Sequence, residues 1–563
     1  MSVPDDDRAY TVTRESWPDD LPRTLPFPEG RRPVNEYVRA HARERPDDPA
    51  VTSYGRTLSW GAFDSLVDSF AAACHDRVHG EGTCALFLQN SPAFLIAYHG
   101  AHRAGLAVTP VNPQFERRAL ARQLDDADAS LLVAGTDRFD VAREAADEAG
   151  VEDLLAVDYA SLAGGEDSPV PGPPLLDSAV PEGVETLSAV LDGAPSDTPR
   201  GRPALSDLAL LQYTGGTTGL PKGCEHTHWN VLFKAATTAA VRAYDEADTL
   251  LGAMPLFHVA GKQRYCDALA VAGCHVVLLA RYTPEAVLAA VDAHRVTSTW
   301  LAVPAIAEVL DHPAREEFDL TSLSARRGFT NCSSFGTALT RELSDRWEAV
   351  TGAYVQESGY GLTETHTTDT HTYGDRRIEA GFVGRPCYGV EVEIRGFETN
   401  REVETGEQGE IVMRTPATMR GYLGRPDVTE EVLEPDGFLH TGDVGRLDPD
   451  GNLYFLGRRK DTIKVSGHTV APREVELAVE STGLASDCIV VGGPHETRGA
   501  VLEAHVVPTD KSVDEGNVLA ALSGELAEYK TPKSVVLRDS FPRTDVGKVD
   551  RVAYYEELPD DYR

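Results

Sequence analysis

Between Tyr213 and Gly223 the chain reads Tyr-Thr-Gly-Gly-Thr-Thr-Gly-Leu-Pro-Lys-Gly, and this stretch restricts the folds open to it. Glycines permit a tight backbone whose N–H groups turn toward an anion, threonines add hydroxyl donors, and a lysine adds charge. The stretch is expected to hold the phosphates of a nucleotide through Thr214, Gly215, Gly216, Thr217, Thr218, Gly219 and Lys222. It is not a P-loop of the usual spacing: Leu220 and Pro221 separate Gly219 from Lys222, and no Ser or Thr follows the lysine. The apolar run Leu208–Tyr213 just before it predicts a strand, the setting a phosphate loop needs.

A chain of 563 residues exceeds one ordinary core and implies at least two domains. Helical patterns at Val34–Glu44, Trp60–Val78 and Pro284–His294 alternate with apolar runs at Cys84–Leu88, Ser130–Ala134, Leu154–Asp158, His275–Leu279 and Ser298–Ala302. That alternation predicts an α/β fold with mostly parallel sheets. Residues 159–204, rich in Gly, Pro, Ser and acids, read as a long surface excursion. From 381 to 455 short strands (Glu391–Arg395, Gly409–Arg414, Leu453–Leu456) predict a small β-barrel-like subdomain. Residues 461–563 read β–α–β–β–α, with strand Asp487–Val491 and helix Glu515–Glu528. The expected organisation is an N-terminal arm (1–30), a large layered domain (31–459) and a small mobile α+β domain (460–563), hinged near Lys460.

The formal charge of −36, from 89 acidic and 53 basic residues, argues against nucleic acid and anionic membranes as partners. Only nine of the basic residues are lysine. An acidic, lysine-poor surface stays hydrated at high salt, where its self-repulsion is screened, so a halophile's cytoplasmic protein is expected. Four of the nine lysines, Lys222, Lys460, Lys464 and Lys548, fall inside motifs, which suggests positions that need a compact ammonium rather than a planar guanidinium. The eight cysteines show no metal or redox spacing and read as reduced core residues. Neither His226/His228 nor His366/His371 has a convincing ligand spacing. No secretory signal or membrane-spanning run is visible.

Further motifs follow the glycine loop in order: Met254-Pro-Leu-Phe-His258-Val-Ala-Gly261, Tyr360-Gly-Leu-Thr363-Glu364, Gly381–Pro386 and Gly437-Phe-Leu-His-Thr-Gly-Asp443. They continue with Gly457-Arg458-Arg-Lys460-Asp-Thr-Ile-Lys464-Val-Ser-Gly467 and Pro542–Arg551, which contains Lys548. Together, from about residue 30 to about 555, they resemble the acyl-adenylate-forming superfamily, and most of all the acyl-CoA synthetases of haloarchaea. The resemblance implies ATP and coenzyme A as co-substrates, Mg²⁺ as metal, a small carboxylic acid as substrate, and an acyl-adenylate between two half-reactions. It implies that Thr217 and Glu364 surround Mg²⁺, that Tyr360 and Thr363 meet the nucleotide, and that Asp443 and Arg458 take the ribose. Lys548 would serve adenylation; after rotation about Lys460, Lys464 and Gly467 would face the incoming thiol. His258 would stand at the mouth of the acyl pocket, and a purely structural histidine there is the competing reading.

The pattern departs from its relatives in places. Ser334-Phe335-Gly-Thr-Ala-Leu339 stands where relatives carry Ser-Gly-Gly-Ala-Pro-Leu, and Phe438 stands where tryptophan is frequent. Lys262, Gln263 and Arg264 are polar where many fatty-acid relatives are more apolar; they either line a pocket for a polar or bulky acid or sit outside it and pair with acids. A medium- or long-chain fatty acid is the leading expectation, with an aryl or polar-substituted acid behind it. Loading of a carrier protein is the third reading, although Phe257–Gly261 lacks the aspartate that amino-acid modules use.

Overall fold

The computed structural model describes residues 10–559, apart from 15–16, 81, 166, 194–202, 215–220, 334–338, 380, 466–467, 496–498, 523–525, 527 and 544–548. Among the described residues the strands form four sheets. The first runs, edge to edge, Asp153–Val157, Ala129–Gly135, Thr83–Phe87, Ala107–Pro110, Leu208–Tyr213 and Gly223–Thr227. Its strands are parallel except for the last pair, an antiparallel hairpin whose tip is the glycine loop. Every residue of Thr83–Phe87 is buried, which is why that strand reads as an unbroken run without alternation.

The second sheet runs Tyr354–Glu357, Phe329–Ser333, Ser298–Ala302, Thr249–Gly252, His275–Leu278, Pro49–Ser53 and Arg56–Ser59. It is parallel up to the closing Pro49–Ser53/Arg56–Ser59 hairpin. Helices Pro92–Ala104 and His228–Val241 are buried along almost their whole length, as helices enclosed on all sides must be. Their core joins Leu86, Val108 and Leu210 of the first sheet to Leu250, Val276 and Leu278 of the second. The third sheet, from Thr370–His371 to Glu391–Arg395, is antiparallel throughout and is the expected small β subdomain.

Helices Val34–Glu44 and Pro284–His294 and strands Leu208–Tyr213, Ser298–Ala302, Glu391–Arg395 and Gly409–Arg414 have the expected bounds. Three expectations are corrected. The C-terminal part reads ββαββαβα, because strands Ile463–Val465 and His468–Val470 are too short to show a period and Ser534–Leu537 adds a parallel edge. The helix expected to reach Glu528 ends at Ala521, just before Ser523-Gly524, residues that favour a break. The segment 159–204 does not simply skirt the surface: Tyr159, Leu162, Val170 and Leu187 are buried, and the Tyr159 hydroxyl accepts the Gln89 N–H at 3.0 Å.

The N-terminal arm is built into the fold. Thr11 bridges Thr24, and Tyr10, Trp17, Leu21 and Leu25 are buried. Trp17 packs edge-on against Tyr388 (4.9 Å) and His371 (4.7 Å), joining the arm to the third sheet and the segment leading from it. Truncating so large a buried ring costs about 3–5 kcal/mol. Trp17→Ala should therefore lower the urea midpoint of unfolding with little change of slope, measured by far-ultraviolet circular dichroism.

Candidate active site

Thr214, Lys222, His258, Tyr360, Thr363, Glu364, Asp443, Arg458 and Lys460 all line one cleft of about 2580 Å³. Residues from the C-terminal part, among them Arg473, Arg543, Val549 and Asp550, line its other side. Gly215, Gly216, Thr217, Thr218, Gly219, Gly467 and Lys548 lie outside the described residues, as do Ser334–Ala338. Lys464 is described by its backbone alone, in strand Ile463–Val465.

The neck of the glycine loop is closed. Thr214 N–H donates to the Lys222 carbonyl at 3.0 Å, and Lys222 N–H donates to Thr214 Oγ1 at 3.3 Å. The Lys222 ammonium stands 4.0 Å above the Tyr422 ring, whose hydroxyl donates to Glu364 Oε1 at 2.8 Å. Tyr422 thus ties the loop's cation to the acid of the Tyr360–Glu364 motif, a link with no signal in the sequence. One Glu364 oxygen is satisfied by this bond and the carboxylate borders the cleft, a donor set that suits a hard cation shared with phosphate oxygens and water.

Asp443 and Arg458 are direct cross-strand partners in the antiparallel pair Leu439–Leu447/Leu453–Arg458. The Tyr360 hydroxyl donates to Asp443 Oδ2 at 2.5 Å, and its ring is stacked on Phe455. Arg458 Nη1 lies 2.8 Å from Oδ1 as an ion pair, but not in hydrogen-bond alignment, so this buried oxygen has no donor. A carboxylate with one oxygen fixed and one unmet, at the edge of a cleft, is suited to accept a pair of vicinal hydroxyls. Burial pushes the Asp443 carboxyl up to about 6, against the pull of Arg458.

His258 lines the cleft, and its Nδ1 accepts the Ala260 N–H at 3.3 Å, capping the short helix Val259–Lys262. That helix passes into a wide π-turn, Gln263–Ala268. Lys262, Gln263 and Arg264 are all buried and none of them lines the cleft, and Lys262 pairs with an acid, the second of the two alternatives. Lys262 Nζ pairs with Asp267 Oδ2 at 2.7 Å, and the Tyr98 hydroxyl donates to the other Asp267 oxygen at 2.7 Å. His366 Nε2 lies 3.3 Å from Asp267 and 3.4 Å from Lys262. Burial, then the nearby Lys262 charge, holds His366 well below the usual histidine range.

His366, Thr367 and Thr368 follow Glu364 in the left-handed region, with φ of 57°, 58° and 50°. For residues with a Cβ such geometry costs about 1–2 kcal/mol each. Lys234 offsets this cost: its ammonium donates to the Thr368 carbonyl at 3.1 Å and to Asp369 Oδ1 at 2.6 Å, with both side chains fully buried. Gly361 is required here, since a Cβ would stand 2.6 Å from the Thr368 nitrogen. Lys234 was legible only as a member of a scarce residue type, and Lys262 as a polar residue where many relatives are more apolar.

On the C-terminal side, Arg543 bridges Val549 and so closes the base of the loop that carries Lys548. Arg551, just beyond, donates to buried Glu476, which also accepts the Val490 N–H at 2.9 Å. Among the described residues seven cysteines are buried free thiols, their ionisation pushed up by burial, and no cluster of three His, Cys, Asp or Glu could hold a metal alone. No described helix is long and apolar enough to cross a membrane.

The AMP-binding enzyme family model matches residues 38–423, and the model of its C-terminal domain matches 474–548. A long-chain-fatty-acid–CoA ligase of Bacillus subtilis (strain 168) is 31% identical, with 96% of this chain and 97% of that protein covered. A feruloyl-CoA synthase of Amycolatopsis is 32% identical over 90% of this chain and 95% of that one. The crystal structure of ATP-bound MatB from Rhodopseudomonas palustris is 26% identical, with a TM-score of 0.79, covering 94% of this chain and all of that one. The chain belongs to the AMP-binding enzyme family, in its AMP-forming acid–CoA ligase class.

The raised Asp443 carboxyl yields a signed expectation. Between its ordinary value near 3.8 and about 6 the folded protein holds a proton that the unfolded chain releases. Stability from this group therefore falls as pH rises through that window, by about 3 kcal/mol in all. Asp443→Asn should flatten this part of the stability–pH curve, read by thermal unfolding without ligand. Affinity for ATP should run the other way in the parent protein, weakening below about pH 6 as the acceptor is protonated.

Proposed function

We propose that this protein joins a medium- or long-chain fatty acid to coenzyme A, using ATP and releasing AMP and pyrophosphate. One observation carries the proposal: Lys222, Tyr360 with Glu364, Asp443 and Arg458, drawn from four separate motifs, face a single cleft that also receives the base of the Lys548 loop. The choice of acid leans on the Bacillus subtilis relative, which spans nearly the whole chain.

In the first half-reaction the substrate carboxylate oxygen bonds to the α-phosphorus and pyrophosphate departs. In the second a thiol attacks the acyl carbon, loses its proton, and AMP departs. In this reading Thr214–Lys222 grips the β- and γ-phosphates, Tyr360 offers a flat face to adenine, and Asp443 receives the ribose beside Arg458. Lys548 offsets charge building at the α-phosphate, which is electrostatic stabilisation without proton transfer. Thr217 and Glu364 are the residues to hold Mg²⁺, which would screen the phosphate charge. A boundary near Lys460 divides an N-terminal domain, 31–459, from a C-terminal one that swings to bring Lys464 and Gly467 to the thiol's path. His258 is a positioning residue in this scheme, through its cap on the helix leading to Lys262.

A second reading, an acid carrying a polar substituent, is favoured by the buried Arg264, whose guanidinium stands 5.6 Å from the ring of Trp300, a residue of the cleft wall. The charge of −36 with nine lysines supports a cytoplasm of high salt as the protein's setting.

The test uses purified protein in molar KCl with ATP, Mg²⁺ and a panel of fatty, aryl and amino acids, with and without coenzyme A. A fatty acyl thioester with AMP is expected, and activity should fall as salt is removed. Pyrophosphate release without thioester would point to carrier loading instead. Lys548→Ala should slow adenylation by about 100-fold or more while sparing thioester formation from a supplied acyl-adenylate.

A further inference from the structure

Behind Trp300, a residue of the cleft wall, two buried arginines carry their charge with no acid among the described residues to meet it. Arg242 ends helix His228–Val241, and Arg264 lies in the π-turn Gln263–Ala268; they are 9% and 2% exposed. Arg242 donates to Asn331 Oδ1, and Arg264 donates to Ser298 Oγ at 3.1 Å. The nearby carboxylates are already committed: Asp245 to Arg326, Asp248 to Arg326 and Arg327, and Asp267 to Lys262. Among the described residues neither arginine has an ion-pair partner.

Three things could offset this burial. A helix C-terminus supplies Arg242 with about half a negative charge. Tyr244, Tyr265 and Trp300 stand 5.4–5.8 Å from the Arg264 guanidinium and attract it weakly through their ring faces. Desolvating each ion costs several kcal/mol, so these contributions fall short, and the two like charges oppose each other as well. The third is an anion, and the unmet groups around the pair are the kind an anion needs. Arg264 Nε, Asn331 Nδ2, the Tyr265 hydroxyl and Trp300 Nε1 are all buried without a partner, and all can donate. Trp300 lines the cleft and is paired in register with Asn331, so the indole is the wall shared by the cleft and the arginines.

We propose that Arg242 and Arg264, with Asn331, form a receptor for a second carboxylate at the far end of the acid substrate, so that the enzyme prefers dicarboxylic acids over monocarboxylic acids of equal length. The proposal rests on the acid–CoA ligase reading and narrows its substrate. An apolar chain end would leave both charges and their donors unmet, which is the strongest basis a pocket has for rejecting an analogue.

The experiment compares kcat/KM for AMP formation on matched medium- to long-chain monocarboxylic and α,ω-dicarboxylic acids, in chloride and in a chloride-free salt. The best dicarboxylic acid should exceed its monocarboxylic counterpart by about 100-fold. Arg264→Met and Arg242→Met should each cut that ratio by about tenfold or more, and Arg264→Lys should retain part of it. Thermal midpoints and ATP binding of each variant show that it has folded. Equal kcat/KM on the two series, or an unchanged ratio in both methionine variants, would overturn the receptor. So would a thermal midpoint that rises with chloride while no dicarboxylic preference exists, since the pair would then be a structural halide site. Should no acid at all yield AMP, the ligase reading fails instead. Calorimetric binding of the dicarboxylic acids to parent and Arg264→Met protein would then decide the receptor by itself.

Discussion

The turn after Glu364 depends on one buried ion pair, Lys234 with Asp369. Three consecutive residues with side chains are held in the left-handed region there, and an isolated peptide would not keep them so. Lys234 reaches that turn from a helix of the central layer and binds both its carbonyl and the acid that follows. Thr365 donates to the same acid, and the Thr367 N–H returns to the Leu362 carbonyl at 2.7 Å. Glu364 is thereby fixed from below by the central helix and from the side by Met419, whose N–H donates to its carbonyl at 2.8 Å. A cleft acid positioned this way needs no rearrangement of its backbone to meet a cation.

This gives the scarcity of lysine a physical meaning. Guanidinium groups serve the surface ion pairs, as in Arg117 with Glu148 and Arg414 with Glu391, and those buried pairs whose geometry admits a fork, as in Arg103 with Asp64 and Asp68. Where an ammonium must be enclosed by a carboxylate and a carbonyl or hydroxyl at short range, a planar fork does not fit and lysine is retained. Lys234 and Lys262 are both of this kind, and Lys530 makes two bonds to the Glu474 carboxylate at 2.7 and 2.8 Å.

Much of the parallel sheets was legible because central strands such as Thr83–Phe87 are buried on both faces, and helix Pro284–His294 because Thr283-Pro284 marks its start and its 11 residues exceed a strand's usual length. The cleft's composition was legible through motifs, since the phosphate, ribose and cation positions demand particular residue types. What escaped reading were contacts between side chains distant in sequence: Tyr422 with Glu364, Lys234 with Asp369, Phe455 with Tyr360. No local pattern encodes these, because each joins elements brought together only by the tertiary fold. The three-residue strands near Lys464 were missed for the opposite reason, being too short to carry a period.

Buried charges in this protein fall into two groups. Most are closed: Glu476 meets Arg551 and Arg473, and Lys262 meets Asp267 and its neighbours. Two sites are left incomplete. Asp443 keeps one oxygen without a donor, and the Arg242/Arg264 pair keeps its donors without an acceptor. A buried polar atom without a hydrogen-bond partner weakens the free protein, and so does the unpaired charge of the two arginines; a ligand that completed either would remove that cost. Hydroxyls at one site and an anion at the other would each convert a local cost into binding energy, and a substrate lacking either group would forfeit it.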